Sequence, residues 1–501
     1  MKPIRLFLTI LLSLLPLHAA VMLDVEDMIV PNESDNDNYR KAFEAFKKES
    51  YAVSETLAKQ AISEGVPDAY FILGWLHEKG LGRPVNLASA LDYYRKGHQH
   101  GFDMTSLRYG ILLINSTGPN QEKLRQQGLK ILVRLNGDPA PTAQLIIAKG
   151  HALGQFASEP DFDIAMAHLN RSIQDGNQEA VLFKAALLEG QHNYPKPDPQ
   201  ASISLYETSA EQGNPKAILS AGLRRLNGPE AIRDPQKGLA WLYQLVEKND
   251  PEAHYQLAFY DANTLQDFPK AVEHLIQATQ GDHPKAHLLL GILYQQGKGT
   301  DPSETKAIEH LEKATSLGEP QAAHQLARLY MGRANEADSQ LNLLKGYHFL
   351  TQASTDLPAA QTELGLLYLS GKLGAKDSTA AAAWFTKAAT AGLPLAQFNL
   401  AALYELGNGV TRNPQSAHSL YSLAAKQGIL PAITSLGRLT AIGLGTDQDP
   451  ALAWAYLTLA SDQKEKDAPR LLDQLTSQLT AEQLAEGKKN LTKIKSLLGD
   501  Q

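Results

Sequence analysis

The chain has 501 residues, 43% hydrophobic, 20% charged and 7% aromatic, so it has enough apolar surface to fold and is not a disordered tail. It carries a formal charge of -7 and no cysteine, which excludes disulfides, thiol nucleophiles and thiolate metal sites. Nucleic-acid binding needs a basic face, and Lys488-Lys489 and Arg224-Arg225 are isolated pairs that read as solvated helix surfaces.

Taken from the start, Lys2 and Arg5 precede an apolar stretch from Leu6 to Leu17, broken by Pro16 and closed by His18-Ala19-Ala20. A basic start, a short apolar core and small residues at the exit read as a secretory signal, residues 1–20, cleaved after Ala19 or Ala20. The run is shorter than the roughly 20 residues that cross a bilayer. The product is therefore expected in the periplasm or outside the cell, without a membrane span. With no cysteine it has no disulfides and no lipoprotein acylation point, so burial alone must stabilise it. Residues 21–37 are acidic with no basic residue and read as a disordered lead. Residues 38–65 hold one helix pair, read as an N-terminal cap.

From 66 to 463 the chain repeats. A small residue returns at Gly74, Gly110, Ala148, Ala185, Gly222, Ala258, Gly291, Ala327, Gly365, Ala401 and Gly437, at intervals of 33 to 38 residues. Five residues before each stands an alanine, with Thr105 the exception. A residue without a bulky side chain lets helix axes approach to the short end of the roughly 8–10 Å range. Glycine within a helix costs about 1 kcal/mol against alanine, so its repeated use implies a compensating contact. Each second helix carries its own large apolar residue, among them Tyr94, Leu132, Leu311, Phe385, Tyr421 and Leu457, often with a small residue four positions earlier. Spacing of four puts both on one face.

The boundaries carry chemical marks. Asp198-Pro199, Asp234-Pro235, Asp301-Pro302, Asn413-Pro414 and Asp449-Pro450 are expected to open second helices, the acid or amide capping free N–H groups and the proline fitting the first turn. Gly101, Gly176, Gly213, Gly281, Gly318, Gly392 and Gly428 are expected to close them as left-handed caps. Residues 464–501 read as capping helices, with Thr480 and Gln483 spaced as a capping box. No alternating strand pattern of useful length occurs. The fold class expected is all-α, with antiparallel helix pairs stacked one upon the next.

The stretches from Lys285 to Gly299 and from Ala396 to Gly409, with their small residues Gly291 and Ala401, tyrosines Tyr294 and Tyr404 and loop pairs Gly297/Gly299 and Gly407/Gly409, resemble the Sel-one-like repeat, a relative of the tetratricopeptide repeat. The likeness covers about eleven units, those around Gly110 and Ala258 being degenerate. It implies a right-handed α-solenoid and a non-catalytic scaffold or adaptor for other proteins, in a bacterial envelope or secreted. The same resemblance leaves two alternatives: a eukaryotic secretory-pathway quality-control adaptor, and a hydrolase acting on a β-lactam or cell-wall peptide. The cysteine-rich branch linked to penicillin binding closes each repeat with a cysteine pair that this chain lacks.

No catalytic constellation, metal site or cofactor motif emerges. The Gly-x-Gly pairs follow helices and lack the Gly-Lys-Ser/Thr of a phosphate loop. His283 and His287 are spaced for one helix face, but no third ligand accompanies them. Tyr294, Tyr330, Tyr368 and Tyr404 read as core rings whose hydroxyls reach a loop. By analogy with tetratricopeptide arrays, residues three before and one after the small residue should line a groove for a partner protein. The candidates are Phe71, Trp75, Tyr255, Phe259, His324, Arg328 and Phe398.

Overall fold

The computed structural model describes residues 36–117, 120–137, 139–333 and 339–499, so the expected signal and most of the acidic lead lie outside the described residues. The lead, read as reaching residue 37, gives way earlier. The Asn36 side chain accepts a hydrogen bond from Tyr39 N at 2.9 Å, and Asp37 already begins the helix Asp37–Lys47.

Among the described residues there are α-helices with a few short 3-10 and π turns, and no strand. They form two compact units, one through Trp241 and one from Leu242, divided inside the helix Pro235–Val246. Each unit is an α-solenoid of helix pairs packed on their chain neighbours. In the N-terminal unit the pairs begin with Asp37–Lys47 and Tyr51–Ser63, then Ala69–Lys79 and Leu87–Gln99, then Asp103–Ile114 and Gln121–Val133. The C-terminal unit runs from Pro251–Tyr260 and Phe268–Gln280 to Leu430–Ile442 and Pro450–Asp462, followed by Ala468–Thr476 and Ala481–Gly499.

The two sequence ladders meet in space. A Cβ added at Gly74 would lie 2.4 Å from the Tyr94 ring, one at Gly291 2.8 Å from Leu311, and one at Gly437 2.7 Å from Leu457. The bare backbone of each first helix is thus the seat of the large residue on its own second helix. The alanines five residues earlier, such as Ala69, Ala286, Ala360 and Ala432, are fully buried. The same contact recurs between Gly110 and Leu132 and between Gly365 and Phe385, so the repeat carries an apolar core along each unit's stack.

Most of the boundary chemistry is as expected, with three differences. Asp198, Asp234, Asn413 and Asp449 each accept from the backbone N–H three residues on. Asp301-Pro302 does not open its helix; Ser303 caps Glu304–Ser316 instead. Gly281 is not a left-handed cap either. Its φ is -93°, Asp282 takes the left-handed turn at +52°, and Gly281 is needed because a Cβ there would sit 2.2 Å from Pro251. The short unit around Ala258 lacks loop glycines, and its first helix runs on into a π-helical turn, Asp261–Leu265, with Gln266 left-handed at +56°. At the C-terminal end Thr480 and Gln483 make the reciprocal capping box, at 3.0 and 3.2 Å.

Two histidine pairs join first to second helices within the C-terminal unit. His254 Nδ1 lies 3.1 Å from His274 Nδ1, and His287 Nδ1 lies 3.0 Å from His310 Nδ1. Each contact needs one ring to donate and the other to accept, so it requires a neutral imidazole. His283 and His287 therefore do not converge as ligands: His283 caps its own helix through Ala286 N and reaches Glu252 at 2.9 Å. Burial, the largest influence, holds all four paired rings below their usual value of 6.5, against the opposing pull of Asp261 on His274, Asp282 on His287 and Glu309 on His310. A depressed histidine makes the folded state bind fewer protons than the unfolded one below that value. Its contribution is therefore present above 6.5 and lost as pH falls through and below it. The melting temperature is expected to drop between about pH 7.5 and about pH 5.5, and His274→Gln with His310→Gln to flatten that drop. An equal drop in the variant would remove these pairs as its cause.

A candidate protein-binding face on the first helices

The residues expected to line a groove divide by burial. Phe71, Trp75 and Tyr255 are 4%, 1% and 5% exposed, so the structure corrects their assignment to a binding surface. Phe71 stacks on Trp75 at 5.9 Å and packs on Tyr94 at 6.1 Å, while the Arg108 guanidinium covers Trp75 at 4.7 Å. Tyr255 stacks on the His283 ring at 4.7 Å, and burial pushes its hydroxyl up to about 12. Trp75 and Tyr255 thus pack toward the next first helix, and Phe71 packs within its own pair. Phe259 is half-buried beside Tyr255. His324 is half-buried, its Nε2 3.1 Å from the Glu363 carboxylate, and Arg328 is exposed. Phe398 is half-buried against Tyr421, with ring centroids 5.7 Å apart.

Adjacent first helices are also tied by ion pairs that close the space between them. Glu78 receives Arg108, and Tyr94 donates to it at 2.9 Å. Glu189 receives Arg224, whose guanidinium lies 4.5 Å over Tyr206. In the C-terminal unit Glu405 receives Arg438 at 2.6 and 2.8 Å, and the Tyr421 hydroxyl at 3.1 Å. Burial, with Glu405 alongside, drives the Tyr421 hydroxyl far above its ordinary value. The tyrosine ladder behaves less uniformly than expected: Tyr294 and Tyr330 are buried, and the Tyr368 hydroxyl meets that of Tyr347 at 2.9 Å on the second helix, not a loop.

What remains open on the first helices is apolar in one region. On Pro394–Leu406, Leu395, Phe398, Ala402 and Leu406 stand at spacings of three, four and four, a single stripe of the helix. Leu395 is exposed and Leu406 is 71% exposed. The preceding first helix, Pro358–Ser370, adds exposed Leu366, and the following one, Leu430–Ile442, adds Ile442, 62% exposed. Leu406 and Ile442 occupy the same repeat position, five after the small residue and immediately before the loop glycine. Its counterparts in the N-terminal unit include Lys79, Asn115 and Asn227, so the exposed leucine and isoleucine are not demanded by the repeat. Repeat position was the signal available for finding them. The expected groove positions, three before and one after the small residue, lie earlier on the helix.

The Sel1 repeat model matches residues 67–101, 181–214, 215–250, 251–283, 284–319, 358–393, 394–429 and 431–465, more than half of the chain. The unit around Ala258, short as it is, is among them, whereas the one around Gly110 is not. A protective antigen of uropathogenic Escherichia coli strains that displays an SLR fold superposes with a TM-score of 0.51 at 23% identity, over 89% of this chain and 95% of that one. A Sel1 repeat protein from Oxalobacter formigenes gives 0.39 at 24% identity, over 70% and 90%. An uncharacterized protein of Neisseria meningitidis serogroup B is 30% identical over 164 residues, 32% of each chain, so the match spans about a third of that relative's length. Sel1 repeat proteins generally act as non-enzymatic scaffolds that bind other proteins. Among the described residues no helix is long and apolar enough to cross a membrane.

Proposed function

Because the chain belongs to the Sel1 repeat family, we propose that it is an exported, non-catalytic scaffold whose C-terminal unit holds an apolar segment of a partner protein in a bacterial envelope or outside the cell. The observation that carries this reading is the stripe of Leu395, Phe398, Ala402 and Leu406, flanked by Leu366 and Ile442. Large side chains left in water at the same face of successive first helices lose burial that a partner can return, and exposed apolar surface gathered in this way marks interaction sites. An amphipathic helix or extended segment with apolar residues toward the stripe fits it.

Leu406→Glu with Ile442→Glu tests the reading, since both positions are solvated and the charges should leave the fold intact. Affinity capture of the mature chain from its native cells is expected to recover a defined partner, and the double variant to lose it. The loss expected is about tenfold or more in retained partner, as for two contacts of hot-spot size. Unchanged capture with unchanged helicity would mean the stripe is not the contact.

Export rests on Lys2, Arg5 and the apolar run to Leu17. Amino-terminal sequencing of the mature protein is expected to begin at Ala20 or Val21; a chain still starting at Met1 would refute export by this route.

A further inference from the structure

The N-terminal unit holds a second feature that its repeat pattern does not require. A cleft of about 590 Å³ opens where the helices Leu87–Gln99 and Gln121–Val133 end beside the start of Asp103–Ile114. Its floor is apolar: Tyr109 and Leu135 are buried and Ile131 is half-buried. Its walls carry Arg95, Lys130 and Arg134, three permanent cations, and among the described residues that line it one carboxylate, Asp103, in a chain whose formal charge is -7.

Cations in the last turns of helices have a structural use, since they complement the negative end of the helix dipole. That use explains why each helix ends in basic residues, but not why two such ends and an apolar floor converge on one opening. Lys130 and Arg134 are exposed and have no ion-pair partner among the described residues. Among the described residues Arg95 pairs with Asp92 at 2.6 Å, and Asp92 is shared with Lys96 at 2.8 Å. That solvated pairing contributes little and is readily exchanged. The helix Asp103–Ile114 brings its N-terminus to the same place through Gly101, Asp103 and Ser106, with Phe102 at the cap and therefore no capping side chain. On the wall between, Ser106 Oγ donates to the Phe102 carbonyl at 2.9 Å, so its contact with His98 Nδ1 at 2.8 Å is donated by the imidazole.

We infer that this cleft binds an acidic peptide segment of a partner protein, carboxylates pairing with Arg95, Lys130 and Arg134 while a neighbouring apolar side chain rests on Tyr109, Ile131 and Leu135. Arginine forks suit carboxylates in two-bond geometry, and the apolar floor distinguishes a peptide from a bare anion, which would leave it wet. The site rests on the scaffold reading only in taking a protein as its ligand, and it uses residues of the N-terminal unit, whereas the leucine stripe belongs to the C-terminal one.

The test uses the full mature chain and a fluorescein-labelled dodecapeptide of glutamate with leucine at every third position, measured by anisotropy. The expected result is saturable binding that weakens steeply with salt, about tenfold or more weaker for the counterpart with glutamine in place of glutamate. Lys130→Glu with Arg134→Glu should abolish it, and Lys130→Ala with Arg134→Ala should weaken it, with the melting temperature held. Leu406→Glu with Ile442→Glu should bind the probe normally, so failure of the stripe and failure of the cleft are told apart. The inference is overturned if the glutamine counterpart binds equally, if the charge-reversed chain still binds, or if no binding occurs. It is also overturned if inorganic phosphate displaces the peptide at comparable concentration, or if vesicles of equal phosphatidylglycerol and phosphatidylcholine bind through the same cations in its place.

Discussion

A chain carrying Gly365→Leu is expected to lose the stacking of the helices Pro358–Ser370 and Ser378–Thr390, with a fall in stability at or above the usual 1–3 kcal/mol of overpacking. Even the first added carbon would lie 2.5 Å from Phe385 Cε1 and 2.7 Å from Cδ1. Phe385 cannot withdraw, because it is fully buried among Ala382, Ala396 and Leu400. The isobutyl group must therefore push the two helix axes apart, and each separated pair also loosens its neighbours. Urea denaturation followed by circular dichroism measures the cost. A midpoint equal to that of the unsubstituted chain would show that the small-residue register is not a packing requirement.

The second large effect concerns the buried ion pair of the N-terminal unit. The Arg108 and Glu78 side chains are 4% and 9% exposed, and Glu78 also accepts from Tyr94. Arg108→Met keeps most of the volume over Trp75 but strands the Glu78 carboxylate with one hydroxyl donor. Removing one partner of a buried pair costs roughly 3–5 kcal/mol, because the charge left behind is neither solvated nor neutralised. Glu78→Leu on the Arg108→Met background is expected to recover much of that loss, though not all, since the Tyr94 hydroxyl then lacks its acceptor. The four chains of the cycle, compared by urea midpoint, separate charge from packing. If Glu78→Leu gives no recovery on that background, the loss in Arg108→Met belongs to the packing on Trp75.

These two positions also show what could be read from residues alone. Gly365 and Phe385 lie twenty residues apart in two separate ladders, and each ladder was visible because every unit repeats it. Their contact followed from helix geometry and needed no long-range information. Exposure was different. Trp75 and Leu366 occupy the same repeat position, one after the small residue, yet Trp75 is covered by Arg108 from the next first helix while Leu366 is exposed. The position fixes which way a side chain points, whereas the residue that covers it comes from a unit some 36 residues away and varies. Trp75 and Tyr255 are buried for that reason, under Arg108 and His283 of the following unit, whereas Phe71 is covered within its own pair by Trp75 and Tyr94. Asp301-Pro302 and Gly281 failed for a more local one: Ser303 offers a competing cap, and Pro251 claims the space above Gly281.

The leucine stripe is the central functional claim, and hydrogen–deuterium exchange of the mature chain, alone and bound to the partner it captures, tests it most directly. Slower exchange in the complex is expected within residues 358–370, 394–406 and 430–442, the helices that carry Leu366, Leu406 and Ile442. Exchange in those three helices that is unchanged by the partner would contradict the account.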